Sequence, residues 1–295
     1  MKSDGAPICL TGSSGQVGSA ISRIRPSIHP LNHRLDSDLE GLIAAINTQK
    51  PRAIIHAAAY TAVDHAETEP EIVDLVNHRA IDSLGDWCNE TQTILVHYST
   101  DYVFDGHQSN GYREEDACNP LNCYGLSKYR GELAFLKHAP PGCIFRTSWV
   151  LGRGNNFIKT ILTLGLVKPE LAVIDDQIGR PTSAQLLAEA GLEVVDREMQ
   201  FRDIEKRIHL TDAGAPVSWH GLAVYAINRA RDWHYPGITA TNIKPVSTEA
   251  YGQQVKRPAN SILICDRYDQ LLDTIRPNWQ TTVDSIVEEC AKELW

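Results

Sequence analysis

The sequence predicts an α/β protein with a Rossmann-type, doubly wound parallel sheet and a smaller C-terminal lobe. Short apolar or β-branched runs alternate with longer helical patterns three times before residue 100, which is typical of a parallel sheet. A glycine-rich turn follows the first of these runs directly. After Thr147 the alternation becomes less regular, and we expect the second lobe to begin there.

Strands are predicted where short β-branched or apolar runs are bounded by polar or turn-forming residues. They lie at 8–11, 53–57, 93–99, 143–147 and 207–210, with a weaker one near 28–32. A further strand is predicted at 171–174, beyond the regular part of the pattern.

Helices are predicted from capping residues and from prolines. Ser37 or Asp38 can cap a helix that runs to Asn47, and Pro51 then prevents its continuation. Pro70 opens another helix that reaches about Asn89, because proline fits the first helical turn. Further helices are predicted at 122–137, 157–166, 184–197, 217–231 and 281–294.

The composition is that of an ordinary globular protein, with 42% hydrophobic and 22% charged residues among 295. A net charge of −9 argues against a nucleic-acid polymer as partner, because phosphate backbones need a basic surface. The apolar runs are shorter than the roughly 20 residues of a membrane span, and no signal peptide is recognisable, so we expect a cytoplasmic protein. The seven scattered cysteines are expected to be reduced, and no metal site is predicted.

The glycine-rich turn after the first strand has the pattern of a pyrophosphate-binding turn. Gly12, Gly15 and Gly18 allow a tight turn, close approach of a phosphate and close packing of the following helix. The usual NAD-specific acid is missing near Asn32, and Arg34 follows instead. A cation there suits a 2′-phosphate, so the expected cofactor is NADPH, with NADH as the alternative.

This turn also suggests how the chain is organised. Residues 1–150 are expected to form a dinucleotide-binding domain, to which a later segment at about 178–235 returns. Residues 151–177 and 236–295 are expected to form most of the substrate-binding lobe. No repeat, low-complexity tract or clean linker separates the two parts.

A catalytic group is predicted at the end of the third clear strand. Ser99, Thr100 and Asp101 should emerge at the edge of the sheet that faces the cofactor. Tyr124 and Lys128 lie one helical turn apart and therefore share a helix face. A tyrosine with an ordinary pKa near 10 needs a nearby cation to act as a proton donor and acceptor at neutral pH, and Lys128 supplies that charge.

The sequence resembles the extended short-chain dehydrogenase/reductases and, within them, the dTDP-4-dehydrorhamnose reductase family. The matching stretches span nearly the whole chain in order: 12–18, 57–64, 99–104, 124–128, 146–150, 154–157, 176–182 and 257–261. The sequences Ser-Thr-Asp-Tyr-Val-Phe at 99–104 and Arg-Thr-Ser-Trp-Val at 146–150 together indicate this family.

The resemblance implies reduction at C4 of a 4-keto-6-deoxy-L-sugar linked to a nucleotide, with Thr100, Tyr124 and Lys128 as the catalytic residues. The implied cofactor contacts are Gly12, Ser14, Gly15, Gln16, Val17, Gly18, Ala57, Ala58, Ala59, Thr61, Asn77, Tyr124 and Lys128. Arg34, which follows Asn32, and Ser99, at the strand end, are expected to join them. The implied substrate contacts are Thr100, Asp101, Tyr124, Trp149, Asn155, Asn156 and Arg257. Independently of the family, Trp149 offers a stacking wall and Arg257 a fork of donors for a diphosphate.

The residues at three positions narrow the possible functions and oligomeric states. Related dehydratases carry an acid where Tyr102 stands, so dehydration is not expected. Some relatives resemble dimers bridged by magnesium through glutamates, but Ala20 and Gln185 occupy those places here, so a monomer or a different homodimer is expected. Two other functions stay open: reduction of another 4-keto-6-deoxy nucleotide sugar, and a non-catalytic, NADP-binding regulatory subunit.

Overall fold

The centre of the protein is a six-stranded parallel sheet. The computed structural model describes residues 5–202 and 204–294. In chain order the strands are β1 Ile8–Thr11, β2 His29–Leu31, β3 Ala53–His56, β4 Ile94–Thr100, β5 Gly142–Thr147, β6 Val150–Leu151, β7 Glu170–Ile174, β8 Ile178–Gly179, β9 Thr182–Ser183, β10 Arg207–His209, β11 Val217–Ser218 and β12 Asn242–Val246. Across the sheet the order is β2-β1-β3-β4-β5-β10, and all neighbours are parallel. The predicted doubly wound sheet is confirmed, with small shifts at the strand ends.

The helices begin close to the capping residues that the sequence indicates. They are α1 Gln16–Ile24, α2 Leu39–Gln49, α3 Val63–Ala66, α4 Pro70–Asp74, α5 Ala80–Thr91, α6 Cys123–His138, α7 Phe157–Val167, α8 Ala184–Asp196, α9 Trp219–Asp232, α10 Thr248–Tyr251, α11 Asp266–Leu271 and α12 Trp279–Leu294. Asp38 caps α2 by accepting a hydrogen bond from the Gly41 amide at 2.9 Å. The single helix predicted from Pro70 to Asn89 is instead interrupted by a wider, π-helical turn at Leu75–Arg79. Within the described ranges, no helix has the length and apolar character needed to cross a bilayer.

Helices cover both faces of the sheet. Helices α1, α8 and α11 pack on one face, where Ile21 and Leu187 are fully buried. Helices α2, α5 and α6 pack on the other, where Ile46 and Phe135 are fully buried. Because both faces are covered, the strands of the sheet consist almost entirely of buried residues.

A second hydrophobic core lies outside the sheet. It is formed by α7, α9, α12 and the parallel pair of β7 with β12. Leu162, Ile227 and Val283 are fully buried there. Strand β12 was not predicted, because Pro245 interrupts its pattern; an edge position in a two-stranded pair tolerates a residue without an amide hydrogen.

The two cores draw on alternating segments of the C-terminal half. Helix α8 packs against the sheet and strand β10 joins it, and both lie within 178–235. Helix α9, from the same range, instead buries Leu222 and Ile227 in the second core. Conversely, α11 comes from 236–295 and buries Tyr268 against the sheet. Each helix follows its own apolar stripe, which a division by sequence ranges does not capture.

Candidate active site

The glycine-rich turn connects β1 to α1 at the point where the strand order reverses. Ligands of doubly wound sheets bind at this kind of edge. Gly12 has a φ of +69°, and a Cβ added there would lie 2.5 Å from the Ala58 amide nitrogen, so the turn closes tightly on the end of β3. Gly15 precedes α1 and offers no side-chain cap, which leaves the positive end of the helix available to an anion. The turn therefore fits the pyrophosphate of a dinucleotide.

A cleft of about 740 Å³ lies beside this turn and fits the adenosine half of such a cofactor. It is lined by the turn, by residues 31–36, by residues 57–60 and by Glu69. Arg34 lies in this lining, and its guanidinium donates to both carboxylate oxygens of Asp36, at 3.0 and 2.5 Å. These hydrogen bonds hold the pKa of Asp36 down at about 2. Since the Arg34 side chain is 79% exposed, its charge is accessible to a phosphate.

A second cleft, of about 400 Å³, brings together all three predicted catalytic residues and several predicted ligand contacts. Its lining includes Gly15, Gln16, Val17, Ala57, Ala59, Thr61, Ser99, Thr100, Asp101, Tyr124, Lys128 and Trp149. We call it the catalytic cleft. Because the glycine turn contributes to both clefts, a single dinucleotide can extend from one into the other.

Thr100 and Tyr124 face each other in the catalytic cleft. Asn122 caps α6 through the Gly125 amide at 2.8 Å, and Tyr124 lies in the first turn of that helix. Gly125 lets this turn approach the loop after β4, because a Cβ there would overlap the Tyr102 carbonyl oxygen. Burial raises the pKa of Tyr124 to about 12, while its hydrogen bond with Thr100 acts in the opposite direction. Tyr124 is therefore protonated in the absence of a nearby cation.

Lys128 lies one helical turn after Tyr124 in α6 and is buried. Its Nζ donates to the Tyr98 carbonyl oxygen at 2.6 Å and lies 3.3 Å from His97 Nε2. Burial lowers the pKa of Lys128 to about 7, although Glu132 acts to raise it. Near neutral pH, small changes around this group therefore change the fraction of Lys128 that is charged.

Asn77 lies within the π-helical turn but joins two protein segments instead of lining either cleft. Its amide nitrogen donates to the Tyr60 carbonyl oxygen and to Ser127 Oγ, both at 3.0 Å. Its oxygen accepts from the Tyr60 amide at 2.9 Å. These bonds tie the loop after β3 to α6, which carries Tyr124 and Lys128.

The outer wall of the catalytic cleft is a pair of tryptophans. Trp149 has a φ of +47°, which is uncommon for a bulky residue. Its ring stacks on Trp219 with centroids 3.6 Å apart and an interplanar angle of 13°. Sequence reasoning identified Trp149 but missed Trp219. The available signal was an aromatic residue directly after Ser218, which caps α9 through the Gly221 amide at 2.9 Å.

Trp219 also lines a third cleft, of about 510 Å³, which continues away from the catalytic cleft. Gln177, Tyr251 and Arg257 lie in its lining. Arg257 Nη2 donates to both oxygens of Asp64, at 3.1 and 2.9 Å. We call it the outer cleft; its aromatic and cationic groups suit a nucleotide.

Asn155 and Asn156 do not join this arrangement. Asn155 is exposed, and Asn156 caps α7 by accepting from the Lys159 amide at 2.9 Å. The Asn156 amide group also donates to the Gly152 carbonyl oxygen at 2.6 Å. Neither residue is part of the lining of the three clefts described above.

The positions of the family's bridging glutamates have other roles in this chain. Ala20 is fully buried against the sheet, and the Gln185 side chain donates to Glu189 at 2.8 Å. Within residues 5–202 and 204–294, no group of three or more His, Cys, Asp or Glu side chains is arranged to hold a metal ion.

Known proteins are similar to this chain in both sequence and fold. The family model of the RmlD substrate binding domain matches residues 6–292. The dTDP-4-dehydrorhamnose reductases of Salmonella typhimurium and of Escherichia coli K12 are each 37% identical to this chain, and each match covers 96% of this chain and 97% of the relative. A crystal structure of dTDP-4-dehydrorhamnose reductase from Bacillus anthracis in complex with NADP has a TM-score of 0.85 at 30% identity, covering 96% of this chain and 99% of that one. The chain therefore belongs to the dTDP-4-dehydrorhamnose reductase family that its motifs resemble.

Proposed function

We propose that this protein reduces the C4 keto group of dTDP-4-dehydrorhamnose with NADPH, giving dTDP-L-rhamnose. The observation that carries the proposal is the meeting of Thr100, Tyr124 and Lys128 in one cleft beside the glycine turn. The names of the relatives supply the substrate, and the Bacillus anthracis complex supports NADP as the cofactor.

The chain offers binding groups along the whole length of the cofactor. The glycine turn and the N-terminus of α1 would hold the pyrophosphate, and Arg34 would hold the 2′-phosphate. Bound NADPH supplies the hydride that is transferred to the substrate carbonyl carbon. Asn77 contributes indirectly in this proposal, by fixing the helix that carries the catalytic pair.

The side chains of the catalytic cleft divide the remaining chemistry. The Thr100 hydroxyl would hydrogen-bond the substrate carbonyl oxygen and orient it. Tyr124 would give its proton to the alkoxide that develops on that oxygen, which is general-acid catalysis. The Lys128 ammonium would stabilise the resulting phenolate and counteract the rise that burial causes in the pKa of Tyr124.

The nucleotide sugar would lie on the other side, across the tryptophan pair. Trp149 and Trp219 offer an apolar wall for the sugar, and the outer cleft continues from that wall toward Arg257. Freed from Asp64, the Arg257 guanidinium would bind the diphosphate through two parallel hydrogen bonds. In this proposal the half built on the sheet binds the cofactor, and the half built on the second core binds most of the substrate. A cytoplasmic location and a monomeric or homodimeric state stay predictions.

The test is a reduction assay with purified protein, NADPH and dTDP-4-dehydrorhamnose. Oxidation of NADPH, with dTDP-L-rhamnose as the product, is expected; the matched Tyr124→Phe variant should be nearly inactive. If NADPH stabilises the protein against heat but is never oxidised, the reductase proposal is wrong and a regulatory role replaces it. If another 4-keto-6-deoxy nucleotide sugar is reduced with a much higher kcat/KM, only the substrate is misassigned.

A further inference from the structure

Two buried histidines lie near Lys128, and neither takes part in the proposed steps of the reduction. His56 ends β3 and His97 lies opposite it in β4, with ring centroids 5.5 Å apart. His56 Nδ1 is 2.8 Å from Thr11 Oγ1, and His97 Nε2 is 3.3 Å from Lys128 Nζ. A row of polar side chains thus crosses three adjacent strands, from the strand that precedes the glycine turn to the catalytic lysine.

Both imidazoles are neutral at physiological pH. Burial, reinforced by the nearby positive charge of Lys128, lowers the pKa of His56 to about 3 and the pKa of His97 well below its ordinary value. A neutral imidazole next to an ammonium can only accept from it, so His97 Nε2 is the acceptor and its proton is on Nδ1. The chemistry of this contact is therefore defined: an N–H group of Lys128 donates to His97.

Taken alone, the two buried histidines lower the stability of the fold. Within the described part of the chain, neither His97 Nδ1 nor His56 Nε2 has a hydrogen-bond partner, although both atoms are buried. A buried polar atom without a partner typically costs about 1–3 kcal/mol. An apolar side chain would fill the same space without that cost, so packing does not account for a histidine at position 97.

Few groups hold the Lys128 ammonium in position and influence its charge. Two of its three N–H donors are directed at β4, to the Tyr98 carbonyl oxygen and to His97, which leaves one for the catalytic cleft. The titratable groups that interact with the ammonium are Glu132 on its own helix, His97 on β4 and His56 on β3. Of these, His97 makes the direct hydrogen bond to Nζ.

We propose that His97 is a positioning residue of the reduction, whose neutral Nε2 holds the Lys128 ammonium in place and keeps it charged. The inference rests on the proposed function for the role of Lys128. Accepting a hydrogen bond from a charged donor favours the charged form. Loss of the acceptor therefore leaves Lys128 uncharged at a lower pH, and an uncharged amine stabilises the Tyr124 phenolate less well.

Two substitutions at position 97 form a matched pair. In His97→Gln the side-chain amide reaches the place of Nε2 and can still accept from Lys128, whereas in His97→Asn the amide stops near the place of Nδ1. His56→Gln serves as a control, because His56 does not touch Lys128. All three variants keep a polar side chain of similar size, and thermal unfolding reports whether each one folds.

The first measurement follows Lys128 without turnover. In cofactor-free protein labelled with ¹³C at lysine Cε, the Lys128 signal is assigned by its loss in Lys128→Met and is followed by NMR as the pH is raised. We expect the pKa of Lys128 to fall by about one unit in His97→Asn, the size of a hydrogen bond to a charged group. In His97→Gln and His56→Gln it should stay near the wild-type value.

The second measurement is the pH dependence of kcat with saturating NADPH and substrate. The loss of kcat on the alkaline side should move to lower pH in His97→Asn and return toward wild type in His97→Gln. If Lys128 titrates alike in wild type and both variants, or if activity falls only in step with the melting temperature, His97 is a packing residue and the inference is wrong. Absence of turnover in wild type, with the Lys128 shift present, would instead contradict the proposed reduction alone.

Discussion

The carboxyl group of Asp101 accepts a hydrogen bond from the hydroxyl of Thr100, with 2.9 Å between Oδ1 and Oγ1. Both residues are buried at the end of β4, where the substrate carbonyl would lie. Burial raises the pKa of Asp101 from 3.8 to about 7, although the hydrogen bonds that it accepts act to lower the pKa. The charge of this carboxyl group is therefore coupled to the folding of the catalytic cleft.

This coupling predicts a pH-dependent stability. Between about pH 4 and pH 7 the folded protein keeps a proton on Asp101 that the unfolded chain has lost, so Asp101 destabilises the fold progressively as the pH rises through this window. Asp101→Asn should remove this contribution. The free energy of unfolding of the variant, compared with that of wild type, should therefore be larger at pH 8 than at pH 5, as measured by urea unfolding. Asp212, whose pKa burial raises to about 6, acts in the same direction in both proteins and cancels in the difference. An equal gain at both pH values would contradict the prediction.

Tyr124→Phe should lower kcat by about 10²-fold or more, because the variant lacks the proposed proton donor. The NADPH dissociation constant should change little, since the phenol is a small part of the cofactor's contacts. Steady-state kinetics and a fluorescence titration with NADPH separate the two effects. Near wild-type turnover would assign the proton to another donor.

Trp219→Ala should weaken substrate binding without affecting the cofactor. The stacked pair of Trp149 and Trp219 loses one ring, and aromatic pairs contribute about 0.5–1.5 kcal/mol beyond their buried area. We expect the KM for the nucleotide sugar to rise by about ten-fold and Trp219→Phe to restore most of the loss. Trp233→Ala, on the far end of α9, should leave KM unchanged. A change in the NADPH dissociation constant would place Trp219 against the cofactor instead.

Arg34→Ala should reduce the preference for NADPH over NADH. Charge-assisted hydrogen bonds to the 2′-phosphate, at about 1.5–3 kcal/mol, correspond to a loss of about ten-fold or more in kcat/KM with NADPH. With NADH, kcat/KM should stay near the wild-type value. Asp36→Asn is the complementary variant: it frees the guanidinium from its ion pair and should leave NADPH use intact or improve it. An unchanged ratio in Arg34→Ala removes this residue from the cofactor site.

The sequence was sufficient for the features that depend on local chemistry. The strands of the sheet are buried on both faces and appear as short apolar runs, and Asp38 and Asn122 cap the helices that they were expected to start. The predicted catalytic trio could be identified because Thr100 ends a recognisable strand, and Tyr124 and Lys128 lie in the first two turns of a recognisable helix. Its assembly in one cleft agrees with that prediction, while the individual roles stay proposals.

Other features depend on contacts between distant segments and left little trace in the sequence. Trp219 becomes part of the cleft only because α9 packs against the second core. Arg146, taken as part of a family motif, is fully buried in an ion pair with Glu132 at 2.6 Å, which joins β5 to α6. In the π-helical turn, Asn77 makes hydrogen bonds to Tyr60 and Ser127, which no local sequence pattern indicates.

The packing of α8 against the sheet also affects how the protein folds during synthesis. Contacts such as those between α1 and α8 join segments that are far apart in the chain, and a high contact order slows folding. During synthesis the first 150 residues are complete before α8, β10 and α11 have been translated, so one apolar face of the nascent sheet lacks its cover. Such a face is prone to aggregation. The first 150 residues are thus not an independent module, and a chain that stops near residue 150 would be a substrate for chaperones and proteases.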